Sequence, residues 1–223
     1  MKISVLQFPG TNCEYDTKYA FEKLGCDVEI IWHKDDKIPS NTDLVVIPGG
    51  FSYGDYLRSG AIARFANVME SVQEYASKGG KVLGICNGFQ ILLEAGLLPG
   101  AMKRNDTLHF ISKFHTLKVI NNDNTFLSLT KKDEVLNIPV AHHDGNYYID
   151  EKGLKELEDN NQILLKYCDK DGNLVNMNGS VSNIAGICNK EKNVFGLMPH
   201  PERAIEDILG STDGVNMLKG FLQ

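Results

Sequence analysis

The segment Gly84-Ile85-Cys86-Asn87-Gly88-Phe89-Gln90 places a thiol where it could act as a nucleophile. An apolar run, Val82 to Ile85, leads into a small-residue turn and then into a helical pattern ended by Gly96. A sharp strand-to-helix turn holds its central residue out from the sheet, and flanking glycines make room for it. The cysteine would lie at a helix N-terminus, whose partial positive charge favours thiolate over thiol. A buried structural cysteine between two glycines remains open on this segment alone.

A thiolate that displaces an amine needs a neighbour to protonate the leaving group. Pro199-His200-Pro201-Glu202 supplies a candidate, because the two prolines restrict the backbone around His200 at the end of a strand. Glu202 is close enough in sequence to orient or charge-stabilise the imidazole. The alternative is a proline-stiffened surface turn that carries a histidine. A third segment, Pro48-Gly49-Gly50-Phe51-Ser52-Tyr53-Gly54-Asp55, lacks the Walker pattern. Its glycines could bring the Gly50 N–H, with that of Asn87, onto one developing oxyanion. His33, His109 and His115 are isolated, and the adjacent His142 and His143 would point to opposite faces of a strand. With no HExxH and no clustered Cys/His spacing, no catalytic metal is expected.

These residues require a scaffold that presents strand ends to one side. Ile3–Phe8, Val28–Trp32, Leu44–Ile47 and Val82–Ile85 read as strands. Between them, Tyr15, Tyr19, Phe21 and Leu24 suggest a helix capped by Asn12. Ile62, Phe65, Met69, Val72 and Tyr75/Ala76 suggest a second, and a third runs from about Asn87 to Ala95. This alternation implies parallel strands covered on both faces. Ile111–Ile120, Val140–His142, Ile163–Tyr167, Ile184–Cys188 and Val194–Leu197 read as further, partly antiparallel strands, before a final helix from about Val215 to Leu222. No repeat or linker divides the chain, so residues 1–223 are expected to form one domain.

Composition narrows the function. The 223 residues are 42% hydrophobic and 23% charged, as in an ordinary globular protein. A net charge of -6 argues against a general nucleic-acid binder. No apolar run approaches the roughly 18 residues that cross a bilayer, and Met1 to Phe8 lacks the layout of a secretory signal. Five cysteines without CxxC spacing disfavour a disulfide framework, so a reducing cytoplasm is expected.

The Gly-Gly loop, G-x-C-x-G-x-Q and P-H-P-E, in this order, resemble the class I glutamine amidotransferases. Within that family, Gln7 to Cys13, Pro48 to Asp55, Leu98-Pro99-Gly100, Asn178-Gly179-Ser180 and Met198 to Arg203 look most like the glutaminase subunits of phosphoribosylformylglycinamidine synthases. The resemblance implies an α/β, flavodoxin-like fold with a central, mostly parallel sheet, helices on both faces and added antiparallel strands. It implies that Cys86 forms a glutamyl thioester from L-glutamine, that His200 shuttles protons, and that Glu202 supports it. Gly50 and Asn87 would hold the oxyanion, and Gln90, Asn105 and Phe110 would contact substrate. It further implies two partners, a large synthetase subunit with a small bridging subunit, and ammonia passed along a sealed path. No cofactor is implied on this chain; ATP and Mg belong to the synthetase, which would convert formylglycinamide ribonucleotide to formylglycinamidine ribonucleotide.

One stretch departs from the family. Where V-A-H-G-E-G is common, this chain has Val140-Ala141-His142-His143-Asp144-Gly145-Asn146, which unsettles an expected role at the synthetase interface. The rival readings are an amidotransferase subunit of another pathway, a stand-alone γ-glutamyl hydrolase, and a catalytically silent module of the same fold.

Overall fold

The computed structural model describes residues 1–223. Strands β1 (Lys2–Gln7), β2 (Asp27–Trp32), β3 (Leu44–Ile47) and β4 (Lys81–Ile85) alternate with helices α1 (Glu14–Lys23), α2 (Asn67–Ser77) and α3 (Asn87–Glu94). The second half holds β5 (Ala101–Lys103), β6 (Ile111–Val119), β7 (Val135–His142), β8 (Asn146–Tyr148), α4 (Glu151–Asp159), β9 (Ile163–Cys168), β10 (Ile184–Cys188), β11 (Val194–Leu197) and α5 (Gly214–Lys219).

Nine strands form one sheet in the order β2-β1-β3-β4-β11-β10-β9-β6-β7, and β5 pairs with β8 in a separate ribbon. The first five strands of that order are parallel; from β11 onward the pairings are antiparallel. Central β3, Leu-Val-Val-Ile, is buried at every position, as a strand covered on both faces must be. Edge β2 is buried only at Val28 and Ile31. A single cluster of 53 buried residues runs through the sheet and its covering helices.

Several boundaries differ from the sequence reading. The helix expected from Ile62 breaks into a 3-10 turn, Ala63–Phe65, and α2 starts only at Asn67. Its buried face is Val68, Met69, Val72 and Ala76, while Phe65 lies exposed under the Arg64 guanidinium, 4.3 Å from the ring centre. Asn12 does not cap α1; the cap position is Cys13, and the Asn12 Oδ1 accepts from its thiol. Tyr15 and Tyr19 are exposed, and Thr17, Ala20 and Phe21 form the buried face of that helix. The last helix stops at Lys219 and gives way to a 3-10 turn. Strand β7 begins five residues before the expected Val140 and contains Pro139. A proline is tolerated because β7 is an edge strand, so the missing N–H breaks no inner ladder.

The sheet places four chain segments on one rim. The ends of β1, β3, β4 and β11 are adjacent, and ligands of open α/β sheets gather at the carboxyl ends of such strands. Edge strand β7 also reaches this rim: the His200 N–H donates to the Pro139 carbonyl at 2.8 Å.

Candidate active site

Cys86 joins β4 to α3 with φ +51° and ψ −105°, a conformation that L-residues rarely adopt. The close approach of strand and helix forces it. A Cβ on Gly88 would run into the carbonyl oxygen of Ile47 on β3, and one on Gly84 would meet the Gly88 backbone at 2.7 Å. Both glycines of the motif are therefore steric requirements of the turn. The thiol is 6% exposed, and its Sγ lies 3.6 Å from the Ala141 carbonyl at the end of β7.

His200 arrives from the neighbouring strand. In the parallel pair β4–β11, Leu197 lies opposite Ile85, so the chain leaves β11 level with Cys86. The imidazole is buried, and its Nδ1 lies 2.6 Å from the Oε1 of Glu202, itself buried. Burial alone would push the imidazole towards its neutral form. The charges of Glu202 and Cys86 outweigh this, together with contacts to the thiols of Cys13 and Cys86, and hold its pKa well above the ordinary histidine value. The imidazolium is thus the resting form, poised to give a proton.

Gly49 and Gly50 close the site from β3. A Cβ on Gly49 would stand 2.8 Å from the His200 Cε1, 3.0 Å from the Cys13 Sγ and 3.5 Å from the Cys86 Cβ. The N–H groups of Gly50 and Asn87 are engaged by no protein acceptor, which leaves both available as donors. The Asn87 side chain accepts from the Ser52 N–H at 3.0 Å and donates to the Gln90 Oε1 at 2.8 Å. Gln90 in turn donates to the Asp144 carbonyl at 2.6 Å. A helical residue that otherwise reads as solvent-facing is therefore buried, and it ties the β3 loop to the β7 loop across the start of α3.

Cys86 and Gln90 line a cavity of about 430 Å³ with Asp55, Arg58, Arg104 and Asp144, a volume suited to a small ligand. Burial, and then the charge of Asp144, raises the Asp55 carboxyl to about 6. The departing stretch His142–Asp144 thus forms a wall of this cavity. His142 is buried and neutral: burial, and then the charge of His200, lowers its pKa to about 4.

Asn105 and Phe110 do not line this cavity. Asn105 is fully buried, and its amide makes four contacts: it donates to the carbonyls of His109 and His142, and its Oδ1 lies 3.1 Å from both the Gly145 N–H and the His142 Nδ1. That geometry braces the 142–145 loop and leaves the amide no free group for a ligand. Phe110 borders a smaller cavity of about 160 Å³, which also reaches Cys13, Cys86 and His200. Cys13 and Arg203 stand out only in the structure: the Arg203 Nη2 donates to the Cys13 Sγ at 3.1 Å, beside His200. Their sequence signal is no more than membership of the resembling stretches.

Residues 1–214 match the family model of the CobB/CobQ-like glutamine amidotransferase domain. The chain is 69% identical over 223 residues to the phosphoribosylformylglycinamidine synthase subunit PurQ of Sulfurimonas denitrificans, spanning 100% of both chains. It is 62% identical over 221 residues to the subunit of the same name from Wolinella succinogenes, spanning 99% of each. Among solved structures it superposes on a chain in the structure of PurLQS from Thermotoga maritima with a TM-score of 0.89 and 40% identity, covering 99% of this chain and 97% of that one. A glutamine amidotransferase from Thermotoga maritima, at 15% identity and a TM-score of 0.59 over 91% of this chain and 76% of that one, shares the fold. With a thiol on a strained strand-to-helix turn, a charged histidine–carboxylate pair on the next strand and a family match along nearly its whole length, the chain belongs to the CobB/CobQ-like glutamine amidotransferases.

Proposed function

We propose that this chain is the glutaminase subunit of a phosphoribosylformylglycinamidine synthase. One observation carries the chemistry: adjacent parallel strands end in Cys86 and in the buried His200–Glu202 pair. The Cys86 thiolate attacks the side-chain amide carbon of glutamine, and the oxyanion forms against the N–H groups of Gly50 and Asn87. His200 gives its proton to the departing nitrogen as the C–N bond breaks, which leaves a glutamyl thioester and ammonia. The neutral imidazole then takes a proton from water, the resulting hydroxide attacks the thioester, and glutamate and the thiolate are released. Glu202 accepts from the Nδ1 side throughout, fixing the ring and stabilising its positive form. Gln90 and the 142–144 wall shape the glutamine pocket, and Asn105 holds that wall in place.

The acceptor is supported by relatives named as the PurQ subunit over their full length, and by the PurLQS assembly that holds the structural neighbour. The partners are accordingly a large synthetase subunit with a small bridging subunit. We infer that ATP and Mg²⁺ act on the synthetase, because the thioester chemistry above requires neither. No helix is long and apolar enough to cross a membrane. All five cysteines are unpaired, which fits a reducing cytoplasm.

The test is Cys86→Ala in the reconstituted complex. Glutamine-dependent amidine formation is lost and ammonia-dependent formation is kept, because Cys86 acts only in ammonia release. Equal loss of both activities overturns the assignment.

A further inference from the structure

The hydrolysis above makes no use of Cys13, yet its thiol stands inside the catalytic constellation. Cys13 follows β1, while His200 and Glu202 follow β11. Even so, the Cys13 Sγ, a ring nitrogen of His200 and a carboxylate oxygen of Glu202 all lie within 4.8 Å of one another. All three side chains are buried, at 2%, 1% and 2% exposure. The His200 Nε2 and the Glu202 Oε2 have no hydrogen-bond partner in the protein.

A thiolate, an imidazole and a carboxylate form the donor set of a borderline-soft divalent cation. Tetrahedral zinc, with bonds of about 2.0–2.3 Å, sets its donors about 3.5 Å apart, so the 2.6 Å His200–Glu202 hydrogen bond opens and the Cys13 thiol, within 4.8 Å, closes onto the ion. Charge also fits. A Cys13 thiolate and the Glu202 carboxylate balance a divalent ion. Arg203 donates through its Nη2 to the Cys13 Sγ at 3.1 Å and through its Nε to the Asp16 Oδ2 at 3.0 Å, so on binding it releases the sulfur and keeps Asp16 as its partner. An entry path exists: the cavity of about 160 Å³ reaches Cys13 and His200 from a mouth bordered by exposed Asn12 and Phe110.

We propose that Cys13, His200 and Glu202 form an inhibitory site for a borderline-soft divalent cation, with zinc the best fit. On binding, the Cys13 thiol proton and the displaced ring proton pass to solvent, and water fills the fourth position. The ion takes the imidazole away from proton transfer, so glutamine hydrolysis stops until the ion is chelated. Inhibition rests on the proposed role of His200; binding does not.

The experiment uses the full-length chain. Cd²⁺ is titrated while thiolate–metal charge-transfer absorbance is read, and Zn²⁺ affinity is measured by competition with a chromophoric chelator. The wild type binds one ion. Cys13→Ser and Cys13→Ala, each checked by circular dichroism, bind at least ten times more weakly and lose the charge-transfer band. Cys86→Ala keeps the band and an affinity within about threefold. In the assembled complex, Zn²⁺ inhibits glutamine turnover, a chelator restores it, and Cys13→Ser, compared with its own metal-free rate, resists the ion. Wild-type affinity in both Cys13 variants, loss of binding in Cys86→Ala, or no stoichiometric binding overturns the site. Binding without inhibition leaves the site standing and counts against His200 as the proton shuttle.

Discussion

His200 and Glu202 are only two residues apart, yet their side chains meet at 2.6 Å in a place closed to solvent. Pro201 lies between them and starts a 3-10 turn, which folds the carboxylate back onto the ring. The pair is what keeps a buried imidazole charged. Without the carboxylate the larger of the two charges that oppose burial is gone, and the histidine pKa falls.

That balance separates two variants. His200→Ala removes the proton donor and is expected to slow glutamine turnover by about 10²–10⁴-fold. Glu202→Gln keeps an acceptor at the Nδ1 but removes the charge, so the loss is smaller. In that variant the histidine pKa falls, the imidazolium form is confined to lower pH, and the upper pH limit of turnover moves down. Turnover in the assembled complex across pH, with circular dichroism as a folding control, checks both. Near-native turnover in His200→Ala would place the proton shuttle elsewhere.

Gly49→Ala tests the crowding at the reacting centre. The backbone at Gly49 is not left-handed, so alanine is conformationally allowed there, and only the added methyl matters. At 2.8 Å from the His200 Cε1 it must push the ring, whose adjacent Nδ1 is held by Glu202. A displacement of about 1 Å costs on the order of 10²-fold in rate. We expect a loss of that size in turnover with a melting temperature close to wild type. Unchanged turnover would show that the ring has room to move.

The strained turn makes a stability prediction. Cys86 sits at φ +51°, which costs a non-glycine residue about 1–3 kcal/mol. Both Cys86→Ala and Cys86→Gly abolish hydrolysis, but only glycine relieves the backbone. Glycine returns part of that gain through unfolded-chain entropy of about 0.5–1 kcal/mol. Chemical denaturation should therefore find Cys86→Gly more stable than Cys86→Ala by about 1 kcal/mol. The opposite order would mean that the turn is not strained in solution.

What can be read from the sequence follows from how local each signal is. Cys86 and its turn are legible because a strand, two glycines and a helix are contiguous, and each glycine answers a collision next to it. His200 and Glu202 are legible for the same reason, through the flanking prolines. Asn105 is not: its four contacts go to the 109 and 142–145 segments, which no spacing rule connects to it. Cys13 meets His200 only because β1 and β11 end on the same rim. The buried face of α1 is misleading in sequence because Tyr15 and Tyr19 are apolar enough to mimic a core stripe while lying in solvent. Helix α4 gives no clear stripe because only Leu157 among its nine residues is buried.

The cavity wall offers a pH-dependent test. Burial, and then the neighbouring Asp144 charge, raises Asp55 from 3.8 to about 6, so the folded protein prefers this carboxyl protonated. A group with a raised folded pKa contributes stability below its unfolded pKa and loses it as pH rises through the folded value. Wild type should therefore give up stability between pH 4 and pH 6 on this account. Asp55→Asn, which keeps an oxygen for the Asn87 amide 3.4 Å away, should not. A rise from 3.8 to about 6 corresponds to about 3 kcal/mol at most. Asp55 is only about half buried, so solvent screening reduces the expected gain to about 1 kcal/mol. Urea denaturation of both proteins at pH 4 and pH 7.5 reads this directly. The curves should nearly coincide at about pH 4, and Asp55→Asn should be the more stable at about pH 7.5. A difference of the same size at both pH values would show that the effect of the substitution is not the carboxylate's charge, and that Asp55 and Asp144 are not coupled across the pocket.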